Sequence, residues 1–214
     1  MNGQLKICLT GGIACGKSLL SHYLNEFGVE TIDADDIVHE LIPDPAARKR
    51  LAAEVFADPA KRRALEAKIH PIVKERIEEF LGKGRREEGR SVVASAFFSC
   101  GTEKQEDENS ALLPSSPLPP IAVIPLLFEA HWEKNFDIIC CVVSERETQI
   151  SRMMTTRGYT RAEAEARLAA QMPVAEKAAK SHYVIHNDGT PDQLKEEVRK
   201  FLTWQKNLTY LRGR

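Results

Sequence analysis

Eight residues near the start of the chain, Gly11-Gly12-Ile13-Ala14-Cys15-Gly16-Lys17-Ser18, have the types and spacing to hold a row of phosphates. They read G-x-x-x-x-G-K-[ST], the P-loop pattern. Glycines let the backbone curl so that successive N–H groups point inward at phosphate oxygens. Lys17 supplies a point charge for the β- and γ-phosphates, and the Ser18 hydroxyl is a ligand for Mg²⁺. In a chain of this composition the pattern arises by chance on the order of 0.004 times, so binding of a nucleoside triphosphate is expected. A second group follows at Asp33-Ala34-Asp35-Asp36. Helix capping accounts for one such aspartate. Three carboxylates beside a phosphate site exceed that need, and point to one that accepts the proton of an attacking hydroxyl and another that holds a water on the metal.

The elements that must position these groups are legible around them. Leu5–Thr10 is short and apolar, as a buried strand before the loop should be. Past Lys17, Leu20, Tyr23, Leu24 and Phe27 recur at helical spacing until Gly28. Val29–Ile32 reads as a second strand and Asp36–Ile42 as a short helix closed by Pro43. Strand, loop, helix and strand make a βαβ unit, so a parallel sheet with helices on both faces is expected, with the aspartates at its ligand-binding edge. Residues 45–84 read as two or three helices, one starting at Asp58-Pro59, with Leu65, Ile69, Ile72, Val73, Ile77, Phe80 and Leu81 forming an apolar stripe across a break at Pro71. Residues 91–98 could form a strand. The stretch 99–120 is polar, acidic and proline-rich, of the kind expected in a surface insertion. Ile121–Ile124 and Phe136–Val143 read as buried core strands, 145–156 and 161–170 as helices, Tyr183–Ile185 as a last strand, and 191–209 as an amphipathic closing helix.

Composition narrows the class. The chain has 214 residues, 43% hydrophobic and 29% charged, with a formal net charge of -1. That balance gives no global attraction to nucleic acid or anionic membrane. No window approaches the ~18 apolar residues of a membrane span. The five cysteines, Cys8, Cys15, Cys100, Cys140 and Cys141, are odd in number and lack C-x-x-C spacing, which favours a reduced, cytoplasmic setting. A monomer is favoured, with the oligomeric state left open.

TGGIACGKS followed by IDADDIVHEL resembles the opening of the dephospho-coenzyme A kinases, whose pattern is close to TGGIGSGKS…DAD. Val55–Pro71, Pro125–Glu129 (PLLFE) and Ala164–Gly189 continue the resemblance in the family's order over most of the chain. It implies a three-layer α/β/α P-loop core (1–42 and 85–214), a helical lid at about 145–173 and a helical acceptor-binding insert at 43–84. It implies ATP-dependent phosphorylation of the ribose 3′-hydroxyl of dephospho-CoA, giving CoA and ADP, with Mg²⁺. Gly11, Gly12, Ala14, Cys15, Gly16, Lys17, Ser18 and Leu19 would hold the nucleotide, with Asn187 near the adenine. Asp35 would be the general base and Asp33 would sit on the metal's water shell, the two roles being exchangeable. Arg152 and Arg167 would neutralise charge on the transferring group, and His70, of the His70-Pro71 pair, would meet the acceptor. Another P-loop small-molecule or nucleotide kinase is the alternative.

Departures accompany the resemblance. The stretch between Leu41 and Arg48 is shorter than in family members, and Arg48 is a candidate stand-in for an arginine there. The strand position that often carries a magnesium-water aspartate is Val123. The family's second lid arginine falls on Thr156, one place before Arg157. His182 and His186 stand where aspartates are usual, and are expected to be surface or loop residues.

Overall fold

The computed structural model describes residues 5–83 and 118–212. The expected strand at 91–98 and most of the expected insertion lie outside the described residues.

Five parallel strands form one sheet in the order β2-β3-β1-β4-β5. They are β1 (Ile7–Gly11), β2 (Thr31–Asp33), β3 (Ile121–Val123), β4 (Ile138–Val143) and β5 (Tyr183–His186). β1 lies at the centre, with Ile7 opposite both Ile121 and Ile138, and Gly11 opposite Val142. β1, β3 and β4 are buried at every position, which is why they read as continuous apolar runs without alternation.

Alternate residues divide the core into two layers. Ile7, Leu9, Val123, Cys140 and Val142 face Leu20 and Leu24 of α1 (Lys17–Glu26) and Leu194, Val198 and Phe201 of α8 (Pro191–Arg212). Cys8, Ala122, Ile124 and Ile139 face Ala34 and Ile37 of α2 (Ala34–Leu41) and Val73, Ile77 and Leu81 of α4 (Pro59–Lys83). The result is the three-layer α/β/α arrangement expected, and every strand leaves the sheet at the same edge.

α2 starts earlier than expected. Asp33 ends β2 and at once caps the helix, its Oδ1 accepting the Asp35 N–H at 2.8 Å. Asp44 caps α3 (Pro45–Ala57), accepting from Ala46 and Ala47, and Asp58 caps α4 by accepting from Ala60 and Lys61. The break expected at Pro71 is absent: α4 runs through it. Proline removes one intrahelical N–H and crowds the preceding turn. Here the apolar stripe beyond it, Val73, Ile77 and Leu81, is buried against the sheet, and Arg76 is ion-paired to Glu40 of α2, so packing holds the helix together.

The remaining helices are α5 (Arg146–Arg157), α6 (Arg161–Ala169) and α7 (Val174–Ala179). α5 ends at Gly158, left-handed with φ 66°, and α6 opens with a capping box between Thr160 and Glu163. His182 is exposed, yet it extends the sheet: its Nδ1 accepts the Ile139 N–H at 3.0 Å while its own N–H reaches Ile139 O at 2.8 Å. His186 is exposed at the end of β5. No described helix is long and apolar enough to cross a membrane.

Candidate functional site

The P-loop leaves β1 at Gly11 and enters α1 at Lys17. Two glycines are required by their surroundings. A Cβ on Gly11 would stand 2.3 Å from Val142 O, so β1 and β4 could not keep their register. Gly16 is left-handed (φ 91°), and a Cβ there would lie 2.1 Å from Asn187 Nδ2. That same Nδ2 donates to Cys15 O at 2.8 Å, so Asn187, which is buried, ties the end of β5 to the loop. Lys17 Nζ donates to Gly11 O at 3.1 Å and Gly12 O at 2.8 Å. Burial pulls its pKa below the ordinary lysine value, with the nearby Lys177 charge acting in the same direction. The Cys15 thiol is buried and accepts from Gln149 Nε2 at 3.1 Å, and burial raises its pKa, so it is a packing residue and not a nucleophile.

Ala14 occupies the left-handed region at φ 58°, where an L side chain costs roughly 1–2 kcal/mol. The family pattern has glycine at this position. Ala14→Gly is expected to stabilise the protein by about 1 kcal/mol, which a thermal melt reads as a rise of roughly 2–4 °C for a chain of this size. A fall in melting temperature would mean that the Ala14 methyl contributes more by packing against Ile150 and Met153 than its backbone costs.

The two aspartates line a cavity together with the loop. A cleft of about 560 Å³ is lined by Lys17, Ser18, Asp33, Asp35, Arg152 and Asn187 together with Ala14, Gly16, Leu19, Pro125, Arg157 and Gln171. Its size suits a small-molecule ligand. Asp35 is exposed and none of the described residues bonds its carboxylate, whereas one oxygen of Asp33 is committed to the cap. Burial, reinforced by the charges of Asp35 and Asp36, raises the Asp33 pKa from 3.8 to about 6. The folded state therefore holds this proton more tightly than the unfolded chain. Its contribution to stability falls as pH rises from 3.8 through about 6, and above that the buried charge is a standing cost. Asp33→Asn keeps a capping oxygen and removes that cost. In magnesium-free buffer it is expected to melt above the unsubstituted protein at pH 7.5, with the gain shrinking towards pH 4. A melting difference independent of pH contradicts the raised pKa.

Arg152 and Asn187 line the same cleft. Arg152 spends its guanidinium on three protein acceptors: Ala14 O at 3.3 Å, Ser144 Oγ at 3.0 Å and Asn187 O at 2.8 Å. It braces the loop against the end of β5. Arg157 lines the same cleft and bonds to none of the described residues.

A family model for dephospho-CoA kinase matches residues 5–46 and 108–193. The chain belongs to the dephospho-CoA kinase family. A dephospho-CoA kinase of Synechococcus sp. (strain JA-3-3Ab) is 36% identical over 92% of this chain and 90% of its own length. One from Geobacter sulfurreducens is 35% identical, covering 94% and 97% respectively. A crystal structure from Thermus thermophilus superimposes with a TM-score of 0.68 at 27% identity, covering 94% of this chain and 97% of that one. Membership makes the chain an ATP-dependent kinase that phosphorylates a hydroxyl group. Residues 47–107, which hold most of the segment expected to meet the acceptor, fall outside the family match.

Two residues named from the family resemblance are not brought to this cleft. Arg167 is exposed and its guanidinium stacks on the Tyr159 ring, 4.3 Å from the centroid. His70 packs edge-on against Trp132 at 5.1 Å. Arg48 donates to the carbonyls of Ile42 and Pro43, so it closes the C-terminus of α2. Conversely, the sequence did not single out Gln149 or Gln171, whose carboxamides hold both sides of the Ile13 backbone. Nor did it anticipate that Lys177, within the Ala164–Gly189 stretch, is completely buried and ion-paired at 2.8 Å to Glu129 of PLLFE. A lysine amid alanines in a short helix, and a glutamate closing an apolar run, are the signals that could have paired them.

Proposed function

We propose that this kinase transfers the γ-phosphoryl group of ATP to the ribose 3′-hydroxyl of dephospho-CoA, giving CoA and ADP. The observation that carries the reading is the shared cleft: loop amides, the Lys17 ammonium and two carboxylates converge at one edge of the sheet in a chain of this family. The acceptor oxygen forms a bond to the γ-phosphorus while the bond from that phosphorus to the β–γ bridging oxygen breaks, and the pair stays with ADP. The hydroxyl proton passes to a carboxylate. Asp35 is assigned that role because its carboxylate is uncommitted and faces the cleft, whereas the Asp33 oxygen is held in the cap. Lys17 and Arg157 supply positive charge at the transferring group, and Arg152 keeps the loop in shape. Arg167 and His70 would join only after the 145–173 lid or the 43–84 helices move towards the cleft. Catalysis of this kind is chiefly positioning and charge neutralisation.

Magnesium fits the residues present. The Ser18 hydroxyl and the Asp33 carboxylate are hard oxygen donors on one cleft, and Asp33 sits among like charges that a divalent cation relieves. Among the described residues no group of three or more His, Cys, Asp or Glu could hold a metal alone, as suits an ion bound by one or two side chains plus phosphate. When bound it would neutralise charge on the β- and γ-phosphates. A cytoplasmic monomer completes the reading.

The test is ADP release with dephospho-CoA, with a nucleoside monophosphate, and with no acceptor. Turnover with dephospho-CoA alone is expected. Asp35→Asn should slow it by about 10²–10⁴-fold with ATP binding nearly intact, and an undiminished rate removes Asp35 as the base. Preference for the monophosphate would identify a nucleotide kinase, and turnover indifferent to acceptor an ATPase.

A further inference from the structure

Ile13 lies in the P-loop, and both sides of its backbone are taken by glutamine side chains. Gln149 of α5 donates Nε2 to Ile13 O at 2.7 Å. Gln171, just past α6, accepts the Ile13 N–H through Oε1 at 3.2 Å. A backbone N–H can be met only by the oxygen of a carboxamide, so this bond fixes which way Gln171 is turned. Its Nε2 must face away from Ile13, and none of the described residues accepts from it. Gln171 lines the cleft that Lys17, Ser18 and Asp35 line.

The backbone beside Gln171 is held as well. The next residue, Met172, donates its N–H to Glu129 Oε1 at 3.0 Å, the same oxygen that pairs with buried Lys177. Gln171 therefore stands on a fixed backbone at one end of the loop, and the position of Lys17 identifies that end. Lys17 Nζ rests on Gly12 O, the residue before Ile13, and a P-loop lysine serves the β- and γ-phosphates. Gly16 and Asn187 mark the far end.

We propose that Gln171 binds the terminal phosphoryl group of the nucleotide: Oε1 holds the Ile13 amide while Nε2 donates to a γ-phosphoryl oxygen. The loop gives up one N–H and receives two from the carboxamide in exchange. The donor is carried by the root of the α5–α6 segment, so phosphate recognition is coupled to that segment's position. The proposal rests on the reading of the cleft as a triphosphate site.

Titration calorimetry with Mg²⁺, using β,γ-imido-ATP and ADP separately, tests it on the full chain. Gln171→Ala should weaken the triphosphate analogue by roughly tenfold or more, the scale of a hydrogen bond to a charged group, and leave ADP within about twofold. Gln171→Glu keeps an oxygen for the Ile13 N–H but sets a carboxylate beside the phosphoryl group. It should weaken the analogue more than Gln171→Ala does. A residue that only tethers the loop predicts the opposite: Gln171→Glu binding like the unsubstituted protein, and Gln171→Ala weakening both nucleotides alike. Either of those results overturns the proposal, as does no change in either variant. An unsubstituted protein that binds neither nucleotide overturns the reading of the cleft and this proposal with it.

Discussion

Replacing Lys177 with methionine is expected to destabilise the protein by about 3–5 kcal/mol, the range for removing one partner of a buried ion pair. Lys177 is completely buried, with Nζ 2.8 Å from Glu129 Oε1 and 2.9 Å from Pro125 O. Methionine fills a similar volume, so the loss comes from the glutamate left without its cation, not from a cavity. Glu129 Oε2 already has no partner among the described residues, which leaves the carboxylate little alternative compensation. The same change releases the Pro125 carbonyl, which also accepts from Thr10 Oγ1 at 3.4 Å and sits on the wall of the cleft. For a chain of this length the melting temperature should fall by roughly 6–20 °C. Adding Glu129→Leu to Lys177→Met should recover much of the loss, since a buried pair is often replaceable by apolar residues of similar size. A single variant melting within about 2 °C of the unsubstituted protein would show that the pair carries little of the fold.

Lys17→Met should have the opposite profile: stability held within about 1 kcal/mol, because a half-buried charge that desolvation disfavours leaves with its hydrogen bonds, and activity lost. Among the described residues Lys17 donates to Gly11 O and Gly12 O alone, both on its own loop, so no distant described element depends on it. Its charge is the one ammonium on the loop itself. A fall in kcat/KM of about 10³-fold or more is expected, on the scale of losing a group that stabilises transferring charge. Lys17→Arg should not rescue it, since a planar fork does not replace a compact point charge. Steady-state ADP release measures both, and kcat/KM within about tenfold of the unsubstituted value would move the phosphate-binding role elsewhere.

What the sequence discloses here follows from the range over which each signal acts. The P-loop, the βαβ opening and the amphipathic closing helix are local patterns with fixed period, and they appear where expected. Helix α4 shows the limit. The rule that proline ends a helix is local, while the contacts of Val73, Ile77 and Leu81 that carry the helix through Pro71 are tertiary. The arginines differ for a related reason. Arg152, Arg157 and Arg167 look alike in sequence, but one is bound to three acceptors, one faces the cleft and one stacks on Tyr159. The glutamines on Ile13 and the Glu129–Lys177 pair join residues 136, 158 and 48 positions apart, as read from their numbers. No spacing rule reaches across such separations.

In the proposed reaction, loop amides and Lys17 hold a triphosphate while a neighbouring aspartate deprotonates a sugar alcohol. Phosphorus NMR of a mixture of the protein, ATP, Mg²⁺ and dephospho-CoA tests it most directly. A 3′-phosphomonoester signal growing in step with ADP is the predicted result. ADP accumulating without that ester, or a phosphoryl group on a different oxygen, would contradict it.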